Sequence, residues 1–112
     1  MKFEIFQNDG KDKFFFRLKA KNGQVILASQ GYANKPGAKN GIQSVMKNST
    51  DESKFEVKEA SNGKHFFNLL AANKQVIGTS QMYASKDGLR KGIKSVMENA
   101  PNATTEDLTV ES

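Results

Sequence analysis

Two stretches decide the fold: SQGYANKPGAKNGIQSVM at residues 29–46 and SQMYASKDGLRKGIKSVM at residues 80–97. They share Ser-Gln, Tyr-Ala, Lys, Gly, Gly-Ile and Ser-Val-Met at matching places, which makes the chain a tandem duplication. From Lys35 the apolar residues Ala38, Ile42, Val45 and Met46 recur at helical spacing, and Leu89, Ile93, Val96 and Met97 repeat the pattern. Asn34 and Ser85 stand where N-caps belong, Pro36 is tolerated in a first helical turn, and Pro101 follows the second helix as a stop.

Working outward, Phe3-Glu4-Ile5 matches Phe55-Glu56-Val57, and Phe14-Phe15, Leu18 and Ala20 match Phe66-Phe67, Leu70 and Ala72. On this alignment Gly23 has no counterpart. Alternation predicts strands over 3–7, 13–20 and 24–30, with the polar stretch Asn8 to Asp12 as a turn. Asn22-Gly23 reads as a two-residue hairpin, and Asn73-Lys74 does the same job one residue shorter. Each copy is therefore β-β-β-α, over about 3–49 and 55–100, with a closing strand at about 107–111 built on Leu108-Thr109-Val110. One copy alone buries too little apolar surface, so the two are expected to share one core in a single domain spanning 1–112. The expectation is an α+β fold: one mainly antiparallel sheet with two helices packed on one face, pseudo-twofold symmetric.

Composition narrows the chemistry. The 112 residues include no cysteine, which excludes disulfides, thiolate nucleophiles and cysteine-based metal sites. No apolar run approaches the roughly 18 residues of a membrane span, and the N-terminus alternates from the start, so the expectation is a cytoplasmic protein with no membrane association. The net charge is +5, and the basic residues fall in the repeat bodies while the connecting segments are acidic. That pattern is compatible with an anionic partner, and equally with a solvated lysine-rich surface.

The signature Ser-Gln-x-Tyr-Ala-x-Lys-x-Gly-x-x-x-Gly-Ile-x-Ser-Val-Met, present twice, resembles the YegP-like family of small bacterial proteins of unknown function. The resemblance covers nearly the whole chain. It implies tandem β(3)-α-β repeats whose halves form one sheet and exchange terminal strands, single-repeat relatives reaching the same arrangement by dimerising, and hence a monomer here. Departures from the pattern are small: the glycine missing from the copy-two hairpin, and Met82 where copy one has Gly31. The family supplies no activity, and a fold by itself implies none.

No catalytic, cofactor or metal residues emerge. His65 is the only histidine and copy one has Lys13 there; Glu4 and Glu56 read as solvent-facing strand residues; phosphate-loop, dinucleotide and nucleophile-elbow motifs are absent. The expectation is a non-enzymatic module without a cofactor. Gly37 and Gly41, like Gly88 and Gly92, lie four apart on one helix stripe, although glycine costs about 1 kcal/mol there relative to alanine. Close packing of the helix against the sheet or the other helix is one reason, and Tyr32 and Tyr83 are further structural residues of the repeat. Approach of an anion to the helix start beside Lys35 and Lys86 is the other. A candidate surface for nucleic acid or another polyanion comprises Lys35, Lys39, Lys86, Arg90, Lys91, Lys94 and Arg17, joined by Lys47, Lys19 and Lys21, with Phe6, Phe15 and Phe67 as stacking platforms if the second sheet face is open. A protein-interaction adaptor is the competing reading.

Overall fold

A computed structural model describes residues 1–109. Copy one contributes β1 (Lys2–Gln7), β2 (Phe14–Lys19), β3 (Val25–Ser29) and α1 (Lys35–Asn48). After a single 3-10 turn, copy two contributes β4 (Phe55–Glu59), β5 (His65–Leu70), β6 (Val76–Ser80) and α2 (Lys86–Asn99), and a second such turn leads to β7 (Thr104–Asp107). The strands form one sheet in the order β4-β5-β6-β3-β2-β1-β7. Every pairing is antiparallel except that of β7 with β1.

Alternation explains the layers. Phe3 and Ile5, Phe16 and Leu18, and Phe67 and Leu69 are buried at every second position, and they meet Ala38, Ile42 and Val45 of α1 and Leu89 and Val96 of α2 in one core. Burying each of these large side chains contributes roughly 1.5–3 kcal/mol, so the core rests mainly on the repeated Phe and aliphatic positions. The copies join at β3 and β6, where Leu27 lies opposite Ser80 and Ser29 opposite Gly78. Here the symmetry is broken for a packing reason. Gly78 occupies the place of Leu27, and a Cβ on Gly78 would lie 2.9 Å from the Leu27 Cγ, so one leucine fills the space that two would contest.

Three local readings need correction. The copies match at an offset of 51 from the second strand onward: Tyr32 bridges Phe14 as Tyr83 bridges His65, and the Ser29 and Ser80 hydroxyls accept from the Phe16 and Phe67 amides. The length difference therefore lies in the first hairpin of each copy, Asn8–Lys13 against Ala60–Lys64. Gly23 does have a counterpart, Lys74, and both take left-handed backbone, at φ 86° and 68°. The connection is not a two-residue one: Gly23 N–H donates to Ala20 and Ala20 N–H to Gln24, a three-residue turn repeated at Ala71–Gln75 and Ala60–Lys64. The closing strand also begins earlier, at Thr104 rather than about 107; Val110 and Glu111 of the expected strand lie outside the described residues.

Candidate functional site

Each helix begins on a side-chain cap, the Asn34 oxygen accepting from Gly37 N–H at 2.8 Å and the Ser85 hydroxyl from Gly88 N–H at 3.0 Å. Those amides are thus already bonded, which leaves the helix starts without the open anion cradle that one reading of Gly37 and Gly88 requires. One turn on, Gly41 and Gly92 lie under the tyrosines. A Cβ on Gly41 would sit 2.5 Å from the Tyr32 hydroxyl, and one on Gly92 would sit 2.2 Å from that of Tyr83. Tyr32 stacks on Phe16 and Tyr83 on Phe67, so each repeat closes its helix onto its sheet through an aromatic pair laid across a glycine. Burial pushes the Tyr32 phenol up, while the Tyr83 hydroxyl is buried with no hydrogen-bond partner among the described residues.

The basic candidates divide into two groups. Arg17 lies on the sheet face away from the helices, donates to Glu4 at 2.7 Å and stacks over Phe6 at 4.6 Å. Glu4 is buried beneath three cations, and the Arg17 hydrogen bond holds its carboxyl below the ordinary range against the opposing effect of burial. Lys35 is bound to Asp107 at 2.8 Å. Lys39, Lys86, Arg90, Lys91 and Lys94 are exposed, Lys94 reaching only Glu98 at 4.0 Å. Four of those five belong to α2, so the exposed members of the candidate set are concentrated on the second helix. Of the proposed stacking residues, Phe6 and Phe15 stack on each other on the outer face. Phe67 does not join them; it is fully buried on the helix side, because the 51-residue offset aligns it with Phe16. His65 is half-buried and meets Tyr83 through backbone bonds, and among the described residues no cluster of His, Asp and Glu could hold a metal.

The feature that sequence reasoning missed lies at the sheet's two edges. On the β1 side β7 runs parallel to β1, with Ile5 opposite Asp107 and the Ile5 carbonyl accepting from Leu108 N–H at 2.9 Å. Lys2 holds Glu106 and Lys35 holds Asp107, and behind β7 lies a groove of about 340 Å³ lined by Ile5, Lys39, Ile42 and Gln43. On the other side β4 is the edge strand and has no neighbour beyond it among the described residues. Between α2 and the turn that leads into β4 lies a groove of about 480 Å³, lined by Arg90, Ile93 and Lys94, the counterparts of Lys39, Ile42 and Gln43, together with Glu52, Met97 and Glu98. Ile5 is 0% exposed, whereas its counterpart Val57 is 54% exposed. Lys54 and Lys86, the counterparts of Lys2 and Lys35, have no ion-pair partner among the described residues.

The molecule is therefore an α+β protein of two fused repeats, in which β1 is covered by the added strand β7 while its counterpart β4 has no such strand among the described residues. The chain belongs to the family described as domain of unknown function DUF1508, which matches it twice, at residues 9–56 and 60–107. The first match ends within β4, at its second residue, and the second ends with β7. Among its relatives are the UPF0339 protein encoded in the ptx operon 5' region of Stutzerimonas stutzeri, 54% identical with 90% of each chain covered, and the UPF0339 protein YegP of Escherichia coli, 50% identical with 96% of each covered. Solution structures of similar proteins superpose closely. That of the Shewanella oneidensis UPF0339 protein has a TM-score of 0.89 at 50% identity, covering 96% of this chain and 90% of that one. That of E. coli YegP has a TM-score of 0.90 at 46% identity, covering 99% and 95%. These relatives carry names without a function, and among the described residues no helix is long and apolar enough to cross a membrane.

Proposed function

We propose that this protein is a non-catalytic, monomeric binding module, working in the cytoplasm, that takes up an extended segment of a partner protein along the open edge of β4. The observation that carries this reading is the contrast between Ile5 and Val57: the same position in two copies of one unit, sealed under a strand in the first and bare in the second. An edge strand offers unpaired N–H and C=O groups to any added strand, and this one adds a part-apolar groove beside them. Residues 102–109, which contain β7, supply a ready probe. A labelled peptide of that sequence should bind the whole protein in anisotropy titrations and protect the Val57 amide from hydrogen exchange. Val57→Lys, at an exposed position, should abolish binding while leaving the thermal unfolding profile intact. No binding to the wild type, or equal binding to Val57→Lys, overturns the reading.

A second reading, binding of nucleic acid or another polyanion, is favoured by the four exposed cations of α2. It is weakened by Arg17 and Lys35 being engaged within the protein, and by Phe67 lying in the core. It requires saturable binding of short DNA or RNA that falls steeply between about 50 and 200 mM salt and that Lys91→Glu with Lys94→Glu removes. Binding that survives both tests would retire it.

A further inference from the structure

Resting on the edge-binding reading above, we infer that the segment accepted by β4 is acidic and runs parallel to it, seating a carboxylate on Lys86. The chain contains its own template for this arrangement. β7 is Thr-Thr-Glu-Asp, its side chains are largely solvent-facing, and what fixes it beyond the backbone ladder is a pair of carboxylates: Glu106 on Lys2 at 3.3 Å and Asp107 on Lys35 at 2.8 Å. Transferring the register of β7 on β1 to β4 puts the counterpart of Glu106 opposite Glu56 and that of Asp107 opposite Val57. The latter then comes within reach of Lys86, as Asp107 does of Lys35.

Charge along the groove fixes the direction. Lys86 and Arg90 belong to the first half of α2, and Glu98, with Glu52 across the groove, lies towards the opposite end. In copy one the last helical turn carries Lys47 where copy two carries Glu98, so this gradient belongs to the second repeat alone. A strand parallel to β4 brings its C-terminal end to Lys86, away from Glu52 and Glu98; a reversed strand would set its carboxylates among those two acids. The bare Val57 and the groove residues Ile93 and Met97 then receive whatever small or apolar side chains the segment presents inward.

The test is a charge exchange on the whole protein with the residue 102–109 peptide as probe. Lys86→Glu should weaken binding by about tenfold or more, the size expected for breaking a charge-assisted hydrogen bond. A peptide carrying lysine in place of its aspartate should recover most of that loss on the Lys86→Glu protein and bind the wild type poorly. A spin label on the peptide's N-terminus should broaden the signals of Lys54 and Phe55 rather than that of Glu59. Lys35→Glu is the control, because it perturbs only the seat already filled by β7. Equal affinity of wild type and Lys86→Glu, with Val57→Lys still abolishing binding, overturns the acidic-segment inference and leaves edge binding standing. Broadening at Glu59 overturns the parallel arrangement. A concentration-dependent dimer that Val57→Lys dissolves without peptide overturns both, since the edge then serves a second copy of this chain.

Discussion

Gly88 and Gly92 lie four residues apart on one helix, yet alanine at the two positions should change stability in opposite directions. At Gly92 a Cβ would meet the Tyr83 hydroxyl at 2.2 Å and the ring carbon bearing it at 2.6 Å. The ring cannot swing aside cheaply, because it stacks on the fully buried Phe67 and its backbone is bridged to His65. Overpacking of this kind costs about 1–3 kcal/mol, and the gain in helix propensity from glycine to alanine offsets about 1 kcal/mol of it. Gly92→Ala should therefore lose up to about 2 kcal/mol. At Gly88 the nearest atoms would be the Ser85 Oγ at 3.3 Å and Tyr83 Cδ1 at 3.6 Å, so the propensity gain remains and Gly88→Ala should be neutral or up to about 1 kcal/mol more stable. Urea unfolding measures both, and with a slope of about 1–3 kcal/mol/M the midpoints should separate by on the order of 1 M. Tyr83→Phe should cost nothing by itself, since its hydroxyl has no partner, and should recover part of the Gly92→Ala loss. A Gly92→Ala protein as stable as Gly88→Ala would refute the close-packing account of the repeated glycines.

Three further outcomes follow from the geometry. Gly78→Leu should destabilise strongly because Leu27 already fills the interface, while adding Leu27→Gly should restore most of the loss; Leu27→Gly alone should cost at least the roughly 3–5 kcal/mol of a buried leucine truncation, by thermal unfolding. Lys74→Gly should raise stability by about 1 kcal/mol, because a left-handed backbone at φ 68° is strained for lysine and free for glycine, and Gly23→Lys should do the reverse in the same assay. The Asp107 carboxyl sits at about 2, from an ordinary 3.8: burial opposes the shift, and hydrogen bonds from Lys35 and Thr109 together with the Lys35 charge outweigh it. Its folded value is depressed, so its hold on β7 is complete above the ordinary carboxylate range and lost as the pH falls towards 2; exchange of the Leu108 amide should accelerate across that window, and Asp107→Asn should flatten the response.

Much of the architecture was legible because the repeat writes every signal twice. Helices 1 and 2 could be bounded from their caps and apolar spacing, and each strand of the first hairpins from alternation. The alignment across the second strand was not, since three consecutive phenylalanines at Phe14–Phe16 match Phe66-Phe67 equally well at either of two offsets. Asn22 against Asn73 was the discriminating signal, as those residues coincide only at the offset of 51, where both cap the turn into the third strand. That single position moves Phe67 from the outer face to the core. The closing strand was misplaced for a different reason: Thr104–Asp107 is polar along its length because it lies at an edge, and the apolar Leu108 drew the reading downstream. Of the candidate surface, the sequence located the cations but not their partners. Arg17 meets Glu4 across neighbouring strands, and Lys35 meets Asp107 from residues 72 positions apart, pairings that only the sheet order creates.

The parallel β7 also has a consequence in time. Every other strand pairs with a neighbour made soon before it or, at β3 and β6, with the adjacent hairpin, whereas β7 joins Lys2 to Thr104, nearly the full length of the chain. During synthesis the six-stranded body can form while the residues of β7 are not yet available, so each newborn molecule passes through an interval with both flanks bare. Through that interval Lys2 and Lys35 lack the Glu106 and Asp107 carboxylates that later hold β7. Among the described residues no strand follows to cover β4.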